Sequence, residues 1–150
     1  MTLDYYALSK EITQSLESIQ TITLATCYDN KVTARTMSIV NDGLTIMFQT
    51  GVHSEKINQM RQNSNIAFAA GNMQIEATVK ICGHPNENQL FLDKYKAKYP
   101  QYYSMYTDLP DEVLVVATPV KIALYKYIDG NPCVDVLSIT ENRAYREVLM

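Results

Sequence analysis

The sequence predicts a mainly β chain with peripheral helices, an α+β class built around a barrel-like sheet. Three observations carry this reading. Met73 to Cys82 alternates without a break, with Met73, Ile75, Ala77, Val79 and Ile81 on one face and Gln74, Glu76, Thr78, Lys80 and Cys82 on the other. That is the period-2 pattern of a strand with one buried face, suited to a barrel wall. Turn pairs at Asp42-Gly43, Gly71-Asn72 and Asp129-Gly130 separate apolar runs at hairpin spacing. Helical periodicity is confined to the N-terminus, a short stretch after Ser54, Asn88 to Tyr99, and the last residues.

Taken in order, Thr2 to Ile19 places Tyr5, Leu8, Ile12, Leu16 and Ile19 at three- and four-residue steps, a one-faced helix that packs over the sheet. Thr21 to Cys27 alternates as a strand, and Tyr28 to Lys31 turns the chain into a second strand, Val32 to Val40. Asn41-Asp42-Gly43 reads as a hairpin turn, so Leu44 to Gln49 should return antiparallel to it. A short helix begins near Ser54, a plausible N-cap. Ile66 to Ala70 is a buried strand, Gly83-His84-Pro85 breaks the long one, and Asn88 to Tyr99 is a helix ended by Pro100. Val113 to Thr118 and Lys121 to Tyr127 read as two strands parted by Pro119, followed by Val134 to Ile139 and a closing helix over Glu141 to Leu149. The total is about seven strands.

Length and charge narrow the function. At 150 residues, with no repeat, linker or low-complexity tract, the chain 1–150 reads as a single domain. A net charge of −3 with scattered Lys and Arg excludes a nucleic-acid partner. Cys27, Cys82 and Cys133 are an odd, widely spaced set, which argues against a disulfide framework and for a reducing cytoplasm; Cys27 reads as a packed strand residue. No stretch resembles a signal peptide or a membrane span, so a soluble, cytoplasmic protein is expected. His53 and His84 stand alone in loops, giving no metal-ligand pattern, and no G-x-S-x-G, P-loop or G-x-G-x-x-G occurs.

The chemistry concentrates between Lys31 and Lys56, KVTARTMSIVNDGLTIMFQTGVHSEK. Arg35 shares a strand face with Met37 and Ile39, and Ser54 and Lys56 open a helix. Such a helix start offers unpaired N–H groups and partial positive charge, and two full cations beside it suit a phosphate. Taken alone, Arg35 reads first as a rim ion pair; Ser54 and Lys56 placed as they are turn the reading to phosphate contact. The tyrosines from Tyr95 to Tyr106 have two readings as well: packing of a helix across a barrel mouth, or one wall of a planar-ligand pocket.

The run A-R-T-M-S on one strand, F-Q-T ending the next, S-x-K opening a helix and M-Q-I-E-A beginning a later strand resembles the pyridoxamine 5′-phosphate oxidase-like, FMN-binding split β-barrel family, over roughly Ile19 to Tyr127. The resemblance implies a homodimer with FMN at the subunit interface. In it Arg35, Ser54 and Lys56 hold the phosphate, while Thr36, Met37, Ser38, Gln49 and Thr50 contact the ribityl chain and ring. Gln74 resembles a glutamine that reaches the flavin from the neighbouring subunit, although an outward polar position on a half-exposed strand explains it equally well. Glu55 departs from the family pattern, which often has a second basic residue there. The implied function is a flavin-dependent oxidoreductase acting on a small molecule; the alternative is a non-enzymatic FMN binder or electron carrier. An authentic vitamin B6 oxidase is not expected: Val40 stands where that enzyme has a lysine, KYKAKYPQYYS lacks its Arg/Ser pairing, and LYKYIDGNP lacks its Arg-x-His.

Overall fold

The computed structural model describes residues 1–149. In chain order its elements are β1 (Thr2–Leu3), α1 (Tyr5–Ser18), β2 (Ile22–Tyr28), β3 (Lys31–Met37), β4 (Val40–Asp42), β5 (Thr45–Gly51), α2 (Glu55–Gln62), β6 (Asn65–Ala70), β7 (Met73–Ile81), α3 (Gln89–Lys98), α4 (Pro100–Tyr106), β8 (Glu112–Ile128), β9 (Asn131–Ser138) and β10 (Arg143–Val148). The strands form one antiparallel sheet in the order β1-β10-β9-β8-β7-β6-β2-β3, with β5 pairing both β8 and β4. A β core with peripheral helices is therefore the architecture found.

β8 is a single strand of 17 residues, not two strands parted by Pro119. Its first part, Glu112 to Ala117, pairs with β5, and its last part, Lys121 to Ile128, pairs with β9, while β7 runs along the other side of both. Pro119 is accommodated because the register with β7 shifts between Glu76 and Ala77, leaving Val120 as an extra residue in a bulge. The extra residue reverses the alternation: Val113, Val115 and Ala117 face the main core before it, Ile122 and Leu124 after it.

Two further expectations are corrected. Lys31 to Met37 does not pair with the strand that follows it; it pairs with β2, from Ile22 opposite Met37 to Tyr28 opposite Lys31, and its other side is an open edge among the described residues. Asp29 and Asn30, both at positive φ, make the tight turn between them. The chain leaves the ladder at Ser38-Ile39, where the Ile39 carbonyl accepts from the Tyr99 hydroxyl at 2.8 Å and the Lys98 ammonium at 3.1 Å. Only Val40–Asp42 then forms a hairpin with β5, turning at Gly43 with φ +59°. The expected C-terminal helix is instead β10, because Ala144 and Arg146 must face inward from a strand. At the other end, Thr2–Leu3 pairs with β10 before α1 begins, capped by the Asp4 carboxylate accepting from the Ala7 N–H at 2.8 Å. Pro100 ends α3 as expected but also opens α4, since its missing N–H costs nothing at a first helical turn.

α1 lays Leu8, Ile12 and Leu16 on the main core, which Ile57 and Met60 of α2 join. A second cluster lies on the outer side of β4, β5 and β8, where Val40, Met47 and Leu114 meet Phe91, Tyr95 and Tyr99 of the α3 region. Tyr95 and Tyr99 are thus core residues, which agrees with the packing reading of the tyrosines. Burial pushes the Tyr99 hydroxyl up to about 12.

Asp135 ties the far end of the sheet together. It is 2% exposed, takes Arg146 Nε at 2.6 Å and Nη2 at 2.9 Å, and takes Lys126 Nζ at 2.9 Å, which also reaches Glu11 on α1. The Arg146 hydrogen bonds, with Lys126, hold its carboxyl below the usual range. A depressed carboxyl stabilises the fold above the unfolded value of about 3.9 and loses that contribution as pH falls through the folded value. Asp135→Asn should cost about 2–4 kcal/mol at neutral pH. Thermal melts from pH 7 to 3 should show a shallower acid destabilisation in the variant than in the wild type.

Candidate functional site

The site forms where α2 crosses β2 and β3. The side chain of Gln59, 3% exposed, seats the helix. Its Oε1 accepts from the hydroxyls of Thr26 and Thr33, the latter at 2.7 Å, and its Nε2 donates to the Lys31 carbonyl at 3.3 Å. Arg35 stands opposite Leu24 on the same inner face. Its Nη1 donates to the Leu24 carbonyl at 3.3 Å and to Thr26 Oγ1 at 2.8 Å, and its Nη2 donates to Thr33 Oγ1. Of the five guanidinium N–H donors these use three, leaving Nε–H and one Nη2–H side by side, the fork that matches two oxygens of one anion.

Lys56 lies across from Arg35 and donates to Thr50 Oγ1 at 2.9 Å. Burial and the Arg35 charge lower its pKa, while Glu112 raises it. Burial likewise lowers that of Arg35, against Glu55. Two partly desolvated cations held close repel one another, so the arrangement favours an anion between them. Ser54 occupies the N-cap of α2 without making a side-chain cap bond. Its Oγ is buried and has no hydrogen-bond partner among the described residues. A cleft of about 500 Å³ lies against this helix start, lined by Val52, His53, Ser54, Glu55, Ile57, Asn58 and Arg61; Arg35 and Lys56 are not part of its lining, so it is not itself the space between the two cations. An orphaned hydroxyl, a helix N-terminus and two cations with spare donors fit a phosphate group. Glu55 does not leave a bare negative charge beside them: Lys31 Nζ lies 2.8 Å from its carboxylate and holds the carboxyl below its usual range.

The remaining sequence-predicted residues divide by strand alternation. Thr50 joins the Lys56 side, while Gln49 points to the opposite face of β5, where its side chain lies beside Tyr95 and Nε2 meets Thr107 Oγ1 at 3.4 Å. Met37 packs partly against the main core, and Ser38 sits at the strand break. Thr36 is exposed on the outer face. There the register runs Thr36, Thr23, Ala69, Gln74 across four strands, so Gln74 lies roughly 14 Å from Thr36 at three inter-strand spacings, on the face away from the Arg35 guanidinium. One chain does not bring Gln74 to the phosphate cradle.

Thr26, Thr33 and Gln59 went unmarked in the sequence; the one signal was a glutamine next to the apolar stripe of Ile57 and Met60. Glu112 was also missed. It stands opposite Gly51, half-buried, with its carboxyl pushed up by burial. Among the described residues no three His, Cys, Asp or Glu side chains gather as metal ligands, and no helix is long and apolar enough to cross a membrane.

Comparison with known proteins bears on this geometry. The family model of pyridoxamine 5′-phosphate oxidase matches residues 8–126. Among solved structures, a pyridoxamine 5′-phosphate oxidase-related, FMN binding protein from Nostoc punctiforme superposes with a TM-score of 0.61 at 13% identity, covering 100% of both chains. General Stress Protein 26 from Bacillus anthracis gives 0.64 at 19%, covering 77% of this chain and 91% of that one. Campylobacter jejuni ChuZ gives 0.74 at 15%, covering 94% of this chain and 63% of that one. Among curated proteins, none matches. At these identities the superpositions speak for the fold alone, a split β-barrel; together with a family match over most of the length, they place this chain in the pyridoxamine 5′-phosphate oxidase family.

Proposed function

We propose that this chain binds FMN and serves as a flavin-dependent oxidoreductase on an unidentified small molecule. The observation that carries the reading is the buried Ser54 hydroxyl, without a hydrogen-bond partner among the described residues, at the start of the helix whose Lys56 feels the Arg35 charge. Arg35, Ser54 and Lys56 would hold the phosphate. Thr36, Met37 and Ser38, from the edge strand β3 and its end, and Gln49 and Thr50, from β5, would meet the ribityl chain and ring through backbone and side chains. FMN would supply the hydride and electron chemistry, and the chain supplies placement and charge. Vitamin B6 phosphate is not the substrate in this reading: Val40, where that enzyme has a lysine, is 2% exposed and packed in the second core cluster.

A second reading, an FMN binder or electron carrier without a substrate, draws on the tyrosines. Tyr95 and Tyr99 are consumed by the core, which leaves Tyr102, Tyr103 and Tyr106 to line any substrate cleft. The shared site implies a homodimer. Exposed Thr36, Thr23, Ala69 and Gln74 form a row of small and polar residues across the outer sheet face, and a partner there would bring its own Gln74 to the flavin.

Titration with FMN, riboflavin and FAD should give saturable FMN binding at micromolar affinity or tighter, read from flavin fluorescence; no FMN binding would end both readings. Arg35→Ala and Lys56→Ala should each weaken FMN by about 1.5–3 kcal/mol, roughly 10- to 100-fold, with riboflavin far less affected. Sedimentation should find a species of about 34 kDa, twice the 17.0 kDa chain; a monomer that still binds FMN tightly would remove Gln74 from the site. Anaerobic NADH or NADPH should bleach the bound flavin saturably, and Tyr103→Ala should slow that without loss of FMN. If neither nucleotide bleaches it while a photoreduced sample passes electrons to a redox protein, the carrier reading stands.

A further inference from the structure

We infer that Gln59, buried and bonded only to Thr26, Thr33 and the Lys31 carbonyl among the described residues, is the positioning residue of the anion cradle, acting on Arg35 through the hydroxyls of Thr26 and Thr33. The inference rests on the phosphate reading above and adds a residue the family resemblance did not supply.

The donor and acceptor rules fix the direction of every bond in this network. A glutamine Oε1 can only accept, so both threonine hydroxyls must spend their single proton on Gln59. Their oxygens are then left with lone pairs, which a guanidinium, able only to donate, requires. The contact between the two hydroxyls, at 3.3 Å, cannot compete, because neither has a second proton. Arg35 therefore receives two acceptors at set positions, plus the Leu24 carbonyl, and its Nε–H and second Nη2–H are left as a pair with no partner among the described residues.

Gln59 also couples the two halves of the cradle mechanically. It sits one turn inside α2, the helix whose start carries Ser54 and Lys56, and its other end holds the Lys31 carbonyl of the Arg35 strand. One side chain thus sets both the orientation of the guanidinium and the distance from the Arg strand to the helix start. Lys31 in turn restrains Glu55 at that start. Removing the acceptor frees two hydroxyl protons to point at the guanidinium, which disfavours its present placement.

The experiment compares FMN and riboflavin affinities by fluorescence titration in wild type, Gln59→Leu, Thr33→Val, Arg35→Ala and Arg35→Ala/Gln59→Leu, with thermal melts on each. Thr33 is half-buried, so Thr33→Val serves where Gln59→Leu does not fold. Gln59→Leu and Thr33→Val should each weaken FMN about tenfold, the scale of one hydrogen bond to a charged group, and change riboflavin less than about twofold. In the Arg35→Ala background Gln59→Leu should add less than about twofold, since the residue it positions is gone. Equal losses of FMN and riboflavin, or a tenfold effect that persists without Arg35, overturn the positioning role and leave the phosphate reading standing. A wild type that binds FMN no better than riboflavin overturns both.

Discussion

The fold depends on a single constraint: β8 must be the hydrogen-bonding partner of three other strands at once. β7 takes one side along most of its length, and the other side is divided between β5 and β9. A strand with that duty has to be long, and a long strand in a twisted sheet has to bend. The Val120 bulge provides the bend and reverses which side chains face the main core. The early part of β8 is in addition covered on its outer side by the α3 cluster, so Leu114 is buried alongside Val113 and Val115. That double burial is what the continuous apolar run VLVVA encodes.

The same covering cluster shapes the site. Tyr99 and Lys98 reach over to the Ile39 carbonyl and hold the chain where it leaves β3. Met37 and Ser38 sit at the end of a pinned strand, and Arg35 lies two residues further back on a regular ladder. Rigid support of this kind lets a short edge strand present side chains with little play.

Much of this was legible in the sequence where local chemistry decides the outcome. The clean alternation of Met73 to Ile81 and the Leu8, Ile12 and Leu16 stripe follow from periodicity alone, and the turn pairs from residues that tolerate positive φ. The placement of Arg35 on a strand and of Ser54 and Lys56 at a helix start was legible from the local pattern. What failed depends on distant partners. Arg143 to Val148 carries too few apolar residues to announce a strand; its inward Arg146 makes sense only opposite Asp135. Pro119 reads as a break unless the neighbouring strand is known to shift register. Thr26, Thr33 and Gln59 come from three elements and meet through a register that no single segment contains, so their network was invisible.

The side of β3 that is open among the described residues has a consequence for handling the protein. A strand with one row of unpaired N–H and C=O groups is a template on which another extended chain can add. Here the edge carries Lys31 at one end and Arg35 near the other, two charges that discourage such addition, yet Val32, Ala34 and Thr36 are exposed between and beyond them. A segment that paired with this edge would also act as a safeguard against aggregation. With the edge uncovered the protein should be kept dilute and cold, and its turbidity on storage reports the state of one strand.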